Sequence, residues 1–234
     1  MEKDFFKYQA QTTPHPLALE VSEAKGSFIY DSNQKKYLDF IAGVSACSLG
    51  HCHPKVVKAV KKQLEKYLHV MVYGEFIQEP AVRLTKLLQH YLPNNLTTTY
   101  LTNSGTEAIE GAIKLARRAT KRKEIIYANK AYHGSTLGAL SILGIESQKQ
   151  KFGPLIPECH AIDFNDENEL SKITNKTAGV ILETIQGGAG FVVPRNDYLK
   201  KVKDRCKKVG ALLILDEIQP GFGRTGKLFG FEHF

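Results

Sequence analysis

The sequence predicts an α/β fold, a mostly parallel sheet with helices on both faces. Two observations carry this. Short apolar strand candidates alternate with helix-length segments through residues 98–215, the pattern that builds a covered parallel sheet. Two of the strands, Val180-Ile181-Leu182 and Leu212-Leu213-Ile214-Leu215, are unbroken apolar runs, as expected of strands buried on both faces. Each run ends in an acid, Glu183 and Asp216. Ligands of open α/β sheets bind beyond the carboxyl ends of the strands, so both acids are delivered to the place where such folds do chemistry.

In chain order, residues 17–40 alternate and turn like a small β-meander. Its strands are expected at 17–21, 27–30 and 36–40, with a turn at Asp31-Ser32-Asn33. Pro54 opens a helix to about residue 69, with Lys55, Lys58, Lys61, Lys62 and Lys66 on its wet side and Val56, Val57, Val60, Leu64, Tyr67 and Leu68 on the other. A second helix is expected at 80–91. Strands then fall at 98–101, 124–128, 159–162, 179–183 and 211–215, with helices near 105–119, 135–143 and 196–209. Right-handed crossovers bring the strand ends to one rim. That rim carries residues 102–106, 129–134, 183–187 and 216–219.

A chain of 234 residues with 42% apolar and 24% charged residues is an ordinary globular protein. No apolar run reaches the roughly 18 residues of a membrane span, and the N-terminus lacks the apolar core of a secretory signal. Cys47, Cys52, Cys159 and Cys206 follow no framework spacing, which favours a reduced, cytoplasmic setting. The net charge of +8 is spread on helix faces without interleaved aromatic platforms. It therefore points to solvated surface or an anionic small ligand rather than nucleic acid.

Four rim segments bear the candidate chemistry. Ser104-Gly105-Thr106-Glu107 sits between a strand and a helix, where free N–H groups make an anion site; an ordinary N-cap reads equally well. Tyr132-His133-Gly134 places an aromatic ring at the same rim. Asp216 and Glu183, each following apolar residues, need cations or donors. Gly221-Phe222-Gly223-Arg224-Thr225-Gly226 imitates a dinucleotide motif, but Asp216 to Pro220 separate it from the strand. A Walker A reading fails at Leu228, which stands where Ser or Thr is required. His51-Cys52-His53 lacks the distant second cluster of a zinc site, and no metal is expected.

In this order the rim segments resemble the class III aminotransferases, pyridoxal-phosphate enzymes of fold type I. The likeness runs from Tyr37-Leu38-Asp39-Phe40 and Leu49-Gly50-His51-Cys52-His53-Pro54 through Asp216-Glu217-Ile218-Gln219-Pro220-Gly221-Phe222-Gly223-Arg224-Thr225-Gly226. The resemblance implies residues 1–50 as an N-terminal segment belonging to a small domain and 51–234 as the cofactor-binding large domain. It implies that Gly105 and Thr106, with Ser104 adjacent, hold the phosphate of pyridoxal 5'-phosphate. Tyr132 and Ile218 then bracket the ring, Asp216 pairs with the ring nitrogen, Gln219 reaches the ring hydroxyl, and His133 and Glu183 support them. The implied reaction moves an amino group from an amino donor to a 2-oxo acid or aldehyde, in a homodimer.

Three departures qualify the likeness. Gly188 stands where several members with ω-amino substrates carry a glutamate. Val44 stands where ornithine-type enzymes carry a tyrosine, so an apolar or acylated substrate is expected near Val44, with Tyr73 as a second wall. The Schiff-base lysine follows the last matched motif in the family; Lys227 is the one lysine after Asp216 and sits in the wrong loop. The fold is thus expected to be incomplete at the C-terminus, the 98–101 strand to lack a partner, and residues 1–234 to be inactive alone. An aminomutase or racemase using the same cofactor, a non-catalytic ligand-binding fragment, and a nucleotide-binding module are the alternatives.

Overall fold

The computed structural model describes residues 1–71 and 74–234, in two compact units, Met1–Gln78 and Glu79–Phe234. The first unit holds helix α1 (Glu2–Tyr8), a three-stranded antiparallel meander of β1 (Val21–Lys25), β2 (Phe28–Asp31) and β3 (Lys36–Leu38), and helix α2 (Pro54–Leu64). The β2–β3 turn follows from its sequence. The Asp31 carboxylate accepts from Asn33 and Lys35 N–H, both at 2.9 Å, and from the Tyr37 hydroxyl, an Asx turn that closes the hairpin. The first strand lies later than the expected 17–21, because Glu23 to Lys25 pair with Phe28 to Tyr30 across Gly26. Gly26 has a φ of +58°, a conformation glycine adopts at little cost; the tight turn there fixes the register.

The second unit is the α/β sheet expected. After helix α3 (Glu79–Tyr91) come α4 (Gly105–Thr120), β4 (Glu124–Ala128), α5 (Leu137–Ser141), α6 (Glu146–Lys149), β5 (Cys159–Ile162), β6 (Thr177–Glu183), α7 (Tyr198–Val209) and β7 (Leu212–Asp216). The strands lie in the order β5-β4-β6-β7, all parallel. Strand β6 is buried at all seven residues. Two clusters form the core. One joins Ile126, Val180 and Leu182 to Tyr198, Val202 and Cys206; the other joins Ile125, Tyr127 and Ile181 to Ile109, Ile113 and Ala116. Successive strand residues alternate between these clusters, as the two-residue side-chain period requires, so helices cover both faces.

Residues 98–101 are not a strand. A strand exists through its ladder of hydrogen bonds, and among the described residues none pairs with this segment; Tyr100 is 82% exposed. Helix α5 is shorter than the expected 135–143 because it ends where Gly144 turns the chain back. Gly144 N–H donates to the Ala131 carbonyl and the Gly144 carbonyl accepts from Lys130 N–H, both at 2.8 Å.

At the opposite end of the sheet, the Arg122 guanidinium donates to the carbonyls of Thr177, Val209 and Gly210. One side chain thus ties the start of β6 to the end of α7, where Gly210 closes the helix at φ +72°. No helix among the described residues is long and apolar enough to cross a membrane.

Candidate functional site

The parallel register of β6 and β7 sets Glu183 beside Asp216 at the carboxyl end of the sheet. Both are buried, each 5% exposed, and each is given donors rather than left bare. Asp216 Oδ2 lies 2.8 Å from His133 Nδ1, and Oδ1 accepts from Ile218 N–H at 3.0 Å. The His133 side chain is fully buried, and its Nε2 has no partner among the described residues. Glu183 accepts from Tyr132 N–H at 3.2 Å and from Gly187 N–H at 3.0 Å. The loops after β4, β6 and β7 are therefore stitched together by the two acids.

The neighbouring Glu217 faces away from this cluster. Its carboxylate accepts from the Thr184 hydroxyl and from Gly230 and Phe231 N–H, so it fastens the chain's final turn. Adjacent acids at the end of one strand point to opposite sides and serve different ends.

The fourth segment arrives through α4. Ser104 caps the helix, its hydroxyl accepting from Glu107 N–H at 3.3 Å, while the Glu107 carboxylate accepts from Asn103 N–H at 2.8 Å. Gly105 and Thr106, the first two helical residues, have N–H groups with no intrahelical acceptor, in a helix of 16 residues. Gly105 faces Ile218: a Cβ built on it would lie 2.7 Å from Ile218 Cδ1. Gly134, at φ +123°, is pressed against Thr106 so closely that a Cβ would collide with the Thr106 side chain. Gly187 likewise leaves room for the Gln219 side-chain oxygen. Ser104, Gly105, Thr106, Tyr132, His133, Glu183, Asp216, Ile218 and Gln219 thus belong to one connected rim. Tyr132 and Ile218 are 49% and 58% exposed, an aromatic and an aliphatic side chain standing open beside buried acids.

Two members of this rim escaped the sequence reading. Glu110, one turn along α4 from Thr106, accepts from the Thr136 hydroxyl at 2.6 Å and from Gly138 N–H at 2.8 Å. Thr136 in turn lies 2.7 Å from the Thr106 hydroxyl. The i, i+4 spacing of Thr106 and Glu110 was available, but nothing in the sequence says what lies opposite them. Val44 belongs to the other compact unit, where it is 71% exposed with φ +54°. Tyr73 lies outside the described residues. No group of three or more His, Cys, Asp or Glu able to hold a metal occurs among the described residues.

Burial pushes the Glu183 carboxyl above its usual value, against the pull of the Gly187 and Tyr132 N–H groups. The proton is therefore held more tightly in the folded state than in the unfolded chain. Stability from this group is fully present below about pH 4.3, the ordinary value for glutamate, and is lost as pH rises through the raised folded value. Glu183→Gln removes the titration. Denaturation midpoints measured from pH 4 to 8 are expected to show the stability of the unsubstituted protein minus that of the variant falling as pH rises. A difference independent of pH would mean that Glu183 keeps an ordinary affinity for its proton.

Over residues 8–234 the chain matches the family model for class-III aminotransferases. It is 41% identical to the acetylornithine aminotransferase of Clostridium acetobutylicum over 219 residues, which cover 91% of this chain and 56% of that protein. Among solved structures it is similar to the ornithine aminotransferase of Toxoplasma gondii, crystallised with partial occupancy of PLP at its active site. There the TM-score is 0.87 and the identity 34%, with 100% of this chain and 57% of that one covered. It is also similar to adenosylmethionine-8-amino-7-oxononanoate aminotransferase of Methanocaldococcus jannaschii, with TM-score 0.91 and 30% identity over 99% of this chain and 57% of that one. The chain spans just over half the length of these relatives.

Proposed function

This chain belongs to the class-III aminotransferases, and from that premise we propose that the whole protein is a pyridoxal-phosphate-dependent aminotransferase. In this reading it passes the distal amino group of an acylated diamino acid, of the acetylornithine kind, to a 2-oxo acid. The observation that carries it is the seating of Ile218 against Gly105, which brings the Asp216 carboxylate and the α4 N-terminus to one place. An aromatic cation with a phosphate tail needs those two features together.

The residues fit such a group. The N–H groups of Gly105 and Thr106, lacking acceptors in their own helix, suit a phosphate. The Asp216 carboxylate, held by His133 and Ile218 N–H, keeps lone pairs for a protonated ring nitrogen. Tyr132 and Ile218 would pack on the two faces of the ring, and Gln219 would reach its hydroxyl. When bound, pyridoxal phosphate supplies an electron sink for charge that develops at the substrate Cα. The Asp216 carboxylate would pair with the ring nitrogen and favour its protonated form. His133 fixes the orientation of that carboxylate, and Glu183 holds the Tyr132 and Gly187 backbone where the pocket wall requires them.

The acylated substrate rests on two supports: the acetylornithine aminotransferases among the relatives, and Val44 at the place of the ornithine-type tyrosine. A homodimer and a reduced cytoplasmic setting, with four free cysteines, complete the proposal.

The test is an absorbance spectrum of the full-length protein with added pyridoxal phosphate, followed by borohydride reduction and peptide mapping. A covalently trapped cofactor on one lysine is expected, with amino transfer from N-acetylornithine faster than from ornithine. Absence of trapping overturns the cofactor assignment; preference for ornithine overturns only the substrate.

A further inference from the structure

The first compact unit contains a chemical arrangement of its own. Cys47 Sγ lies 3.9 Å from His51 Nδ1, and His51 Nε2 lies 2.7 Å from Asp39 Oδ2. The other Asp39 oxygen accepts from Ile41 and Ala42 N–H at 3.0 and 2.9 Å. The Asp39 side chain is 5% exposed and that of His51 20%.

These contacts assign one tautomer to a neutral His51 ring. A carboxylate already facing two N–H groups accepts from His51, so the ring proton sits on Nε2 and Nδ1 presents a lone pair to the thiol. The hydrogen bond from His51, with that from Ala42, holds the Asp39 carboxyl below its usual value and keeps it charged. A charged orienting group, an imidazole of fixed tautomer and a thiol form the sequence by which a nucleophile is activated. Cys47 is partly exposed, and glycine is what lets the chain pass it: at Gly43, φ +61°, a Cβ would come within 3.0 Å of Cys47 Sγ.

The remaining cysteines differ. Burial pushes Cys206 up to about 12 and also raises Cys159; thiols of that kind are poor nucleophiles, because the thiolate is the attacking form. Cys52 is exposed, but no imidazole hydrogen-bonds its sulfur among the described residues.

We propose that Cys47, with His51 as proton acceptor and Asp39 as the group that orients it, is a thiol-exchange site for low-molecular-weight disulfides. The Cys47 proton passes to His51 Nδ1 as Sγ attacks one sulfur of the disulfide. The S–S bond breaks as the mixed disulfide with Cys47 forms. The departing thiolate takes up the proton, so one thiol is released for each one consumed and the small disulfide is the oxidant.

The test uses the full-length protein and 2-hydroxyethyl disulfide at neutral pH, with occupancy at each cysteine followed by fragmentation mass spectrometry. Cys47, although less exposed than Cys52, is expected to exchange at least tenfold faster than Cys52, Cys159 or Cys206. Asp39→Asn should slow Cys47 about tenfold while leaving Cys52 unchanged. Cys206 in the same sample reports unfolding of the variant; where it becomes reactive, the ranking in the unsubstituted protein decides. Exchange at Cys52 as fast as at Cys47, or an unchanged Cys47 rate in a folded Asp39→Asn protein, overturns the proposal.

Discussion

Asp216→Asn in the full-length protein is expected to lower turnover by on the order of 10³-fold, the scale set by removing one preorganised electrostatic group from an enclosed site. Cofactor affinity should change far less. Asparagine matches aspartate in size, so the packing of β7 survives, but it carries no charge and presents an N–H₂ group where the aspartate presents only acceptors. Of its two positions, one faces His133 Nδ1 at 2.8 Å and the other Ile218 N–H at 3.0 Å. The amide therefore either opposes a backbone donor or forces His133 to change tautomer. In both cases the ring nitrogen of a bound cofactor would lose the anion proposed to keep it protonated. The phosphate site proposed at Gly105 and Thr106 is untouched, which is why binding should persist. Single-turnover rates beside an equilibrium titration with pyridoxal phosphate separate the two effects. A variant with near-full turnover would reduce Asp216 to a buried structural acid.

The largest effect on stability is expected at Gly144. A Cβ there would meet three backbone atoms at once: Ala131 N at 2.5 Å, with Lys130 N and Ala128 O closer still. None of these is the far end of a flexible side chain. Ala128 closes strand β4, and Lys130 and Ala131 exchange hydrogen bonds with Gly144 itself, so relief requires that the β4 loop separate from the turn after α5. Gly144→Ala is expected to cost about 3 kcal/mol, at the upper end for an overpacked interior, and to lower the thermal midpoint by several degrees. Because the displaced loop continues into Tyr132 and His133, cofactor affinity should fall in parallel. A midpoint within a degree of the parent would mean that the turn moves freely.

The sheet was legible because its strands announce themselves twice, by apolar runs and by the acids that end them. The bounds of β4 and β5 match, and β6 and β7 shift by at most two residues at either end. Residues 98–101 looked as strand-like as these, but strand character alone supplies no partner. The first strand of the meander was misplaced because the alternation at 17–21 continues into 21–25, and the turn at Gly26 decides between them. At the rim, Asp216, Glu183 and the α4 N-terminus were readable from their positions after strands. The pairing of Asp216 with His133 across 83 residues, and the link from Glu110 through Thr136 to Thr106, depend on how loops fold back, and no local pattern encodes them.

Arg122 gives the sheet a division of labour. Its guanidinium gathers three carbonyls where β6 begins and α7 ends, the far side of the strands from the acids. Fastening at that end is separate from the hydrogen bonds by which Glu183 and Asp216 join the loops at the other, so a change among the loop side chains leaves the three-carbonyl anchor in place.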